Sequence, residues 1–144
     1  KKLDFVQDIP YLKNQNKLMI LKKKKHTYSI WPKFYPTSCI TVRRNFFLNF
    51  LTFLEKNKYP NLEIDARLSI FAFQKKKFSI IKKNLTNYNF DQSGITSRYK
   101  KYSLSWWKKR KEAFDYLIIL NSKLKIKFYY SIDYFVTRLI NFFI

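Results

Sequence analysis

The side chains able to do covalent or acid–base chemistry are few in this sequence, and they are scattered. One histidine, His26, follows four lysines; one cysteine, Cys39, sits in the alternating segment "TSCITV"; nine Asp plus Glu are spread along the chain. General acid–base catalysis needs a histidine or a carboxylate pair held in a cleft, and nucleophilic catalysis needs a base beside the nucleophile. Neither spacing occurs. One histidine and one cysteine cannot assemble a zinc cluster, and the single glycine, Gly94, leaves no glycine-rich phosphate loop. The sequence therefore implies no enzyme, no cofactor and no metal site. His26 reads as a solvated residue and Cys39 as a small core residue.

What recurs instead is cationic residues beside aromatic ones. Lys22, Lys23, Lys24 and Lys25 precede Tyr28 and Trp31; Arg43 and Arg44 precede an aromatic run; Lys75, Lys76 and Lys77 follow Phe71 and Phe73. Arg98, Lys100 and Lys101 lie around Tyr99 and Tyr102, and Lys108, Lys109, Arg110 and Lys111 follow Trp106 and Trp107. Cations neutralise phosphates and release counterions, while aromatic faces stack on unpaired bases at about 1–3 kcal/mol each. One lysine run is ordinarily a solvated face; several, each with aromatics, point to RNA or DNA.

The overall balance agrees. Thirty Lys plus Arg against nine acids leave a formal charge of +21, which repels itself and favours a polyanionic partner. A hydrophobic content of 47% across 144 residues argues for one folded domain rather than a disordered chain. No apolar run approaches the roughly 20 residues of a membrane span, and the longest, "YLIIL" at 116–120, is of strand length. A lone cysteine excludes an internal disulfide framework and fits a reducing compartment. The wealth of Lys, Asn, Ile, Phe and Tyr, residues with adenine- and thymine-rich codons, points to a biased and organellar genome. With glycine so scarce, Asn57, Asn61, Asn84, Asn87, Asn89 and Asn121 are expected at turns that need a positive φ.

These clusters must be positioned by elements. Residues 1–16 read as an N-terminal arm, "NKLMI" and "TSCITV" as strands, and 44–59 as a helix with Asn45 as its N-cap. "PNLEIDARLSIFAFQKKK", 60–77, alternates Leu62, Ile64, Ala66, Leu68 and Ile70 with polar residues, a strand period. The phase breaks at Phe71. We expect a strand over about 61–66 and a partner-facing loop from Arg67. "FSII" reads as a strand, 84–97 as a loop, and "KLKIKFYY", 123–130, as a strand with a lysine face. On a strand, Trp106 and Trp107 would point in opposite directions, so at least one would pack inside. A closing helix capped by Ser131 completes an α+β fold: a single domain, mainly antiparallel sheet with helices on one face.

The tract "KYPNLEIDARLSIFAF", 58–73, following "FLEKNK", resembles the ribosomal protein L-five family of the large subunit. The resemblance lies in Ala66, Arg67, Ser69, Ile70 and Phe73. Looser matches run in the same order: "DIPYLKNQNKLMI" (8–20), "RYKKYSL" (98–104), "EAFDY" (112–116) and the terminal "KIKFYYSIDYFVTRLINFF". Ala72 stands where the family has glycine, and the family's second helix is cut down between Lys77 and Arg98. The resemblance implies a non-enzymatic protein of the central protuberance in a mitochondrial large ribosomal subunit. Its implied partners are large-subunit rRNA, 5S rRNA where the ribosome has it, peptidyl-site tRNA, and neighbouring ribosomal proteins including a small-subunit bridge protein. Arg67, Ser69 and Phe73 would face tRNA, with Gln74, Lys75, Lys76 and Lys77 extending that tract. Two other readings stay open: another lineage-specific mitochondrial ribosomal protein, and a basic accessory subunit of an organellar membrane complex.

Overall fold

A computed structural model describes residues 3–20, 34–54, 58–89 and 100–144. The fold is α+β, and the chain packs into two compact units: residues 1–52 with 68–92, and 53–67 with 93–144.

The first unit is built on strand β1 (Phe5–Asp8), which pairs antiparallel with β4 (Ile40–Val42) and parallel with β5 (Phe78–Ile81). The segment read as an N-terminal arm thus holds the central strand of a sheet. Its sequence hides this because the inward positions are Phe5 and the polar Gln7, both fully buried. Gln7 is tolerated there because its carboxamide receives the Tyr35 N–H (3.0 Å) and donates to the Tyr35 carbonyl (3.3 Å), imitating a strand neighbour.

Beyond Pro10 a second small sheet forms from β2 (Tyr11–Leu12), β3 (Lys17–Leu18) and β6 (Asn87–Tyr88). It too has one antiparallel and one parallel pairing, so the strand pairing is mixed in both sheets. The Asp8 carboxylate lies at the break between them and accepts the Leu85 and Thr86 amides (3.1 and 2.9 Å) and the Thr86 hydroxyl (3.0 Å). Backbone donors that an interrupted ladder would leave unpaired are satisfied in this way.

Helix α1 (Arg44–Leu51) covers this unit's core, its Phe46 and Phe50 rings 5.2 and 5.6 Å from Phe71. It starts one residue before the expected cap at Asn45, because the Arg43 amide bonds the Asp4 carbonyl and its guanidinium the Leu3 carbonyl. That fixes the chain at Arg43, whose side chain does not cap the helix.

The tract expected as strand and loop is helix α2 (Ile64–Gln74). The period-2 pattern was compatible with both structures, since Leu62, Ala66, Leu68, Ile70, Phe71 and Ala72 are all buried. A 3.6-residue period accommodates Leu68, Phe71 and Ala72 on one face, which removes the break in phase. The helix contributes its first four residues to the second unit and the rest to the first. It ends with the Lys76 N–H on Phe73 and the Lys77 N–H on the Ala72 carbonyl (both 2.9 Å), with Lys76 left-handed at φ 54°. Those two bonds define a Schellman cap.

The second unit centres on α3 (Leu104–Lys123) and α4 (Ile132–Phe142). Trp106 and Trp107 are therefore helical, and the strand expected over 123–130 does not form. Lys123 is the last residue of α3. The Lys125 and Ile126 amides then return to the Ser122 and Asn121 carbonyls (3.1 and 2.8 Å), with Lys125 at φ 55°. The alternation was real, but no strand among the described residues pairs with it, and an unpaired strand leaves its backbone without partners. Ser131 caps α4 as expected, accepting the Tyr134 amide at 3.2 Å.

Of the asparagines proposed for positive φ, the described ones do not adopt it. That role falls to Asn16, Lys76, Tyr102 and Lys125; at Lys76 and Lys125 helix termination selects the position, and this chain places lysine there.

Candidate nucleic-acid interface

In both units the acidic side chains are engaged within the protein. Asp4 pairs with Lys77 (2.9 Å) and Arg43 (3.6 Å); Asp8 holds the 85–86 turn; Asp65 accepts the Ala66 amide (2.8 Å). Glu63 pairs with Lys109, Asp115 with Arg138 and Asp133 with Arg110. Glu112 receives the Asn61 and Leu62 backbone amides at 2.7 and 3.0 Å. Every acid among the described residues thus has a contact within the protein, and apart from Asp133, which is exposed but paired with Arg110, the exposed charge is cationic.

In the first unit, Arg43, Arg44, Lys75 and Lys76 are exposed and Lys77 is half-exposed. Lys75 lies over the Phe71 ring, its Nζ 5.6 Å from the centroid. The lysine block is also the C-terminus of α2, where cations oppose the negative end of the helix dipole, so one feature serves stability and leaves charge on the surface. Lys82 and Lys83, exposed just after β5, extend the cationic surface without having been singled out by the sequence.

The residues expected to face tRNA are separated by the helix. Ser69 is fully buried, its hydroxyl without a hydrogen-bond partner, so the folded helix withholds it from any external ligand. Arg67 and Gln74 are half-buried; Phe73 is 43% exposed, edge-on to Phe78. Lys75, Lys76 and Lys77 remain accessible. Lys22, Lys23, Lys24, Lys25 and Arg98 lie outside the described residues.

In the second unit the basic run 108–111 is sorted by the helical period. Lys109 and Arg110 turn inward to Glu63 and Asp133, whereas Lys108 and Lys111 stay exposed. Burial pulls the Arg110 guanidinium below its ordinary value, and its carbon sits 4.9 Å from the Trp106 ring centroid. A cavity of about 280 Å³ is lined by Lys108, Lys111, Asn61, Glu112, Asn141 and Ile144.

The first turn of α3 carries an aromatic cluster. Ser103 caps the helix by accepting the Trp106 amide at 3.3 Å. Tyr102 precedes the cap in the left-handed region, at φ 68°. This geometry sets the Tyr102 ring 5.4 Å from Trp106 and 6.3 Å from Trp107, and leaves it 64% exposed. Lys101 lies over that ring at 4.5 Å; its hydrogen bond, and then its charge, hold the Tyr102 phenol below the usual range. Lys100 and Lys101 are exposed alongside. An exposed ring flanked by cations and backed by two indoles can stack on an unpaired base and neutralise its phosphate. The sequence places Tyr102 beside the basic cluster but does not single it out as a site residue; the signal available was its place between "KK" and the serine cap before "WW".

Comparison with protein-family models, with curated proteins and with solved structures finds no match to this chain.

Proposed function

We propose that this chain is a non-enzymatic RNA-binding protein, a structural constituent of a mitochondrial large ribosomal subunit. One observation carries the reading: the described acids are all committed internally, while lysines remain exposed beside accessible aromatic rings in both units. That arrangement suits a phosphate backbone with unpaired bases. The mechanism is placement: cations neutralise rRNA phosphates, and the Tyr102 cluster engages a base without any chemical step. The resemblance of 58–73 to the L-five family adds a location, the central protuberance, with Lys75, Lys76 and Lys77 toward peptidyl-site tRNA.

Sedimentation of organelle lysate through sucrose at increasing salt tests the class. Retention on the large subunit at moderate salt supports it, and comigration with a respiratory complex refutes it. Crosslinking from Lys75, Lys76 and Lys77 tests the location: crosslinks to tRNA or to protuberance rRNA support the family placement, and a site remote from both ends it.

A further inference from the structure

Helix α4 turns its polar side inward and its apolar side to solvent. Thr137 is fully buried on α3, where its hydroxyl accepts from the Arg110 Nε at 3.2 Å; Asn141 donates to the Trp107 carbonyl at 3.1 Å; Arg138 pairs with Asp115. The opposite side carries Ile132 (83% exposed), Phe135 (59%), Leu139 (61%) and Phe142 (82%), with Val136 between them. The spacing i, i+3, i+4, i+7, i+10 makes this one continuous stripe. A contiguous exposed stripe of large apolar residues marks a docking surface.

We infer that this stripe rests on an anionic lipid surface, lying in the plane of the headgroup–acyl boundary. Cations bracket both ends of the helix. Exposed Lys123, Lys125 and Lys127 lead into it, and Lys108 and Lys111 line a cavity with Asn141 and Ile144 at its far end. Exposed Tyr129 and Tyr130, just before the helix, supply the amphipathic aromatics that favour the interface. The one acid on α4, Asp133, is paired with Arg110, so none is left to repel headgroups. Apolar side chains flanked by lysines are the chemistry of an interfacial helix.

Other occupants fit less well. A second copy would bring +21 against +21. A protein partner would have to provide a groove shaped to these side chains, whereas acyl chains conform to them. The helix cannot span: its 11 residues rise roughly 16 Å, about half the hydrocarbon thickness, and no helix among the described residues is long and apolar enough to cross a membrane.

The inference is independent of the RNA reading, and flotation of the full chain tests it. The probe is phosphatidylcholine vesicles containing about a quarter phosphatidylglycerol. Charge alone binds such vesicles at low salt, so the decisive fraction is that retained at about 0.5 M salt, where exposed charges are screened. The wild type is expected to stay bound, and Ile132→Ser/Leu139→Ser/Phe142→Ser to lose the salt-resistant fraction by about tenfold or more, with RNA binding unchanged. Equal release of wild type and variant by salt overturns the inference. As a check independent of the triple variant's folding, an environment-sensitive dye at Phe142→Cys should shift blue on vesicles, Cys39 being buried. No shift overturns the inference as well.

Discussion

Removing Glu112 should weaken the second unit by a definite amount. Its carboxylate receives three hydrogen bonds: the Asn61 and Leu62 backbone amides on Oε2 (2.7 and 3.0 Å) and the Asn61 side-chain amide on Oε1 (2.5 Å). These hold the turn before α2 against α3. A hydrogen bond to a charged group contributes about 1.5–3 kcal/mol net. Because the site is half-buried, water replaces part of what is lost, and Glu112→Ala should cost about 3–4 kcal/mol. In Glu112→Gln the carboxamide oxygen can keep the backbone amides, but its NH₂ then meets the Asn61 donor, so the cost should be about 1.5–3 kcal/mol. Urea unfolding followed by circular dichroism measures both, with hydrogen exchange at Leu62 reporting the local release. A glutamine variant as stable as the wild type, or an alanine variant costing under about 1 kcal/mol, would refute the reasoning by showing an exposed and ineffective contact.

Other changes separate structure from function. Tyr102→Gly relieves the left-handed backbone and deletes the ring, so affinity for single-stranded RNA should fall about 5- to 100-fold without a lower melting temperature; lower stability with unchanged affinity makes the ring structural. Lys76→Gly and Lys125→Gly should each stabilise by about 1 kcal/mol, since glycine adopts the left-handed cap without a Cβ clash; calorimetry showing destabilisation would contradict the Schellman assignment. Burial, and then the Asp8 charge, push the Cys39 thiol up. The native thiol should therefore react slowly with disulfide reagents through the ordinary cysteine range, and Asp8→Asn should speed it. The sign for stability follows: a raised folded pKa gives a contribution that is complete below the unfolded thiol's value and is lost as pH rises through the folded one. Alkaline titration of the unfolding free energy, wild type against Cys39→Ser, checks it.

Some elements were legible because one local signal decided them. The Ser131 cap, the closing helix that follows it and the "FSII" strand each depend on residues within a few positions, and all three form. The segments 60–77 and 123–130 were misread for a common reason. Alternation records which residues are apolar, and a short alternating run fits a helix face as well as a strand face. At 60–77 the choice was made by Glu112, some fifty residues away, which fixes the turn before α2. At 123–130 it was made by the absence, among the described residues, of any strand to pair with. The cationic clusters were legible as composition, but not their presentation. Only the helical period of α3 separates the exposed Lys108 and Lys111 from the inward Lys109 and Arg110.

By itself the sequence determined the charge balance. An excess of 21 positive charges in a chain rich in aromatics is present whatever the fold, and it favours a polyanionic partner. It also placed the Ser131 cap, because that cap is a local hydrogen bond, whereas the cap expected at Asn45 was displaced to Arg43 by contacts with the distant Leu3 and Asp4 carbonyls. The tertiary structure decided which charges and rings are left over. Nine acids are too few to neutralise the cations, and which cations they take depends on long-range contacts such as Lys109 with Glu63 and Arg138 with Asp115. It also decided that α4 lies with its polar side inward, because α3 offers Asp115, Arg110 and the Trp107 carbonyl as partners there. Hydrogen bonds unmade in the interior cost more than apolar atoms left in water at the surface, so the apolar side of α4 faces out.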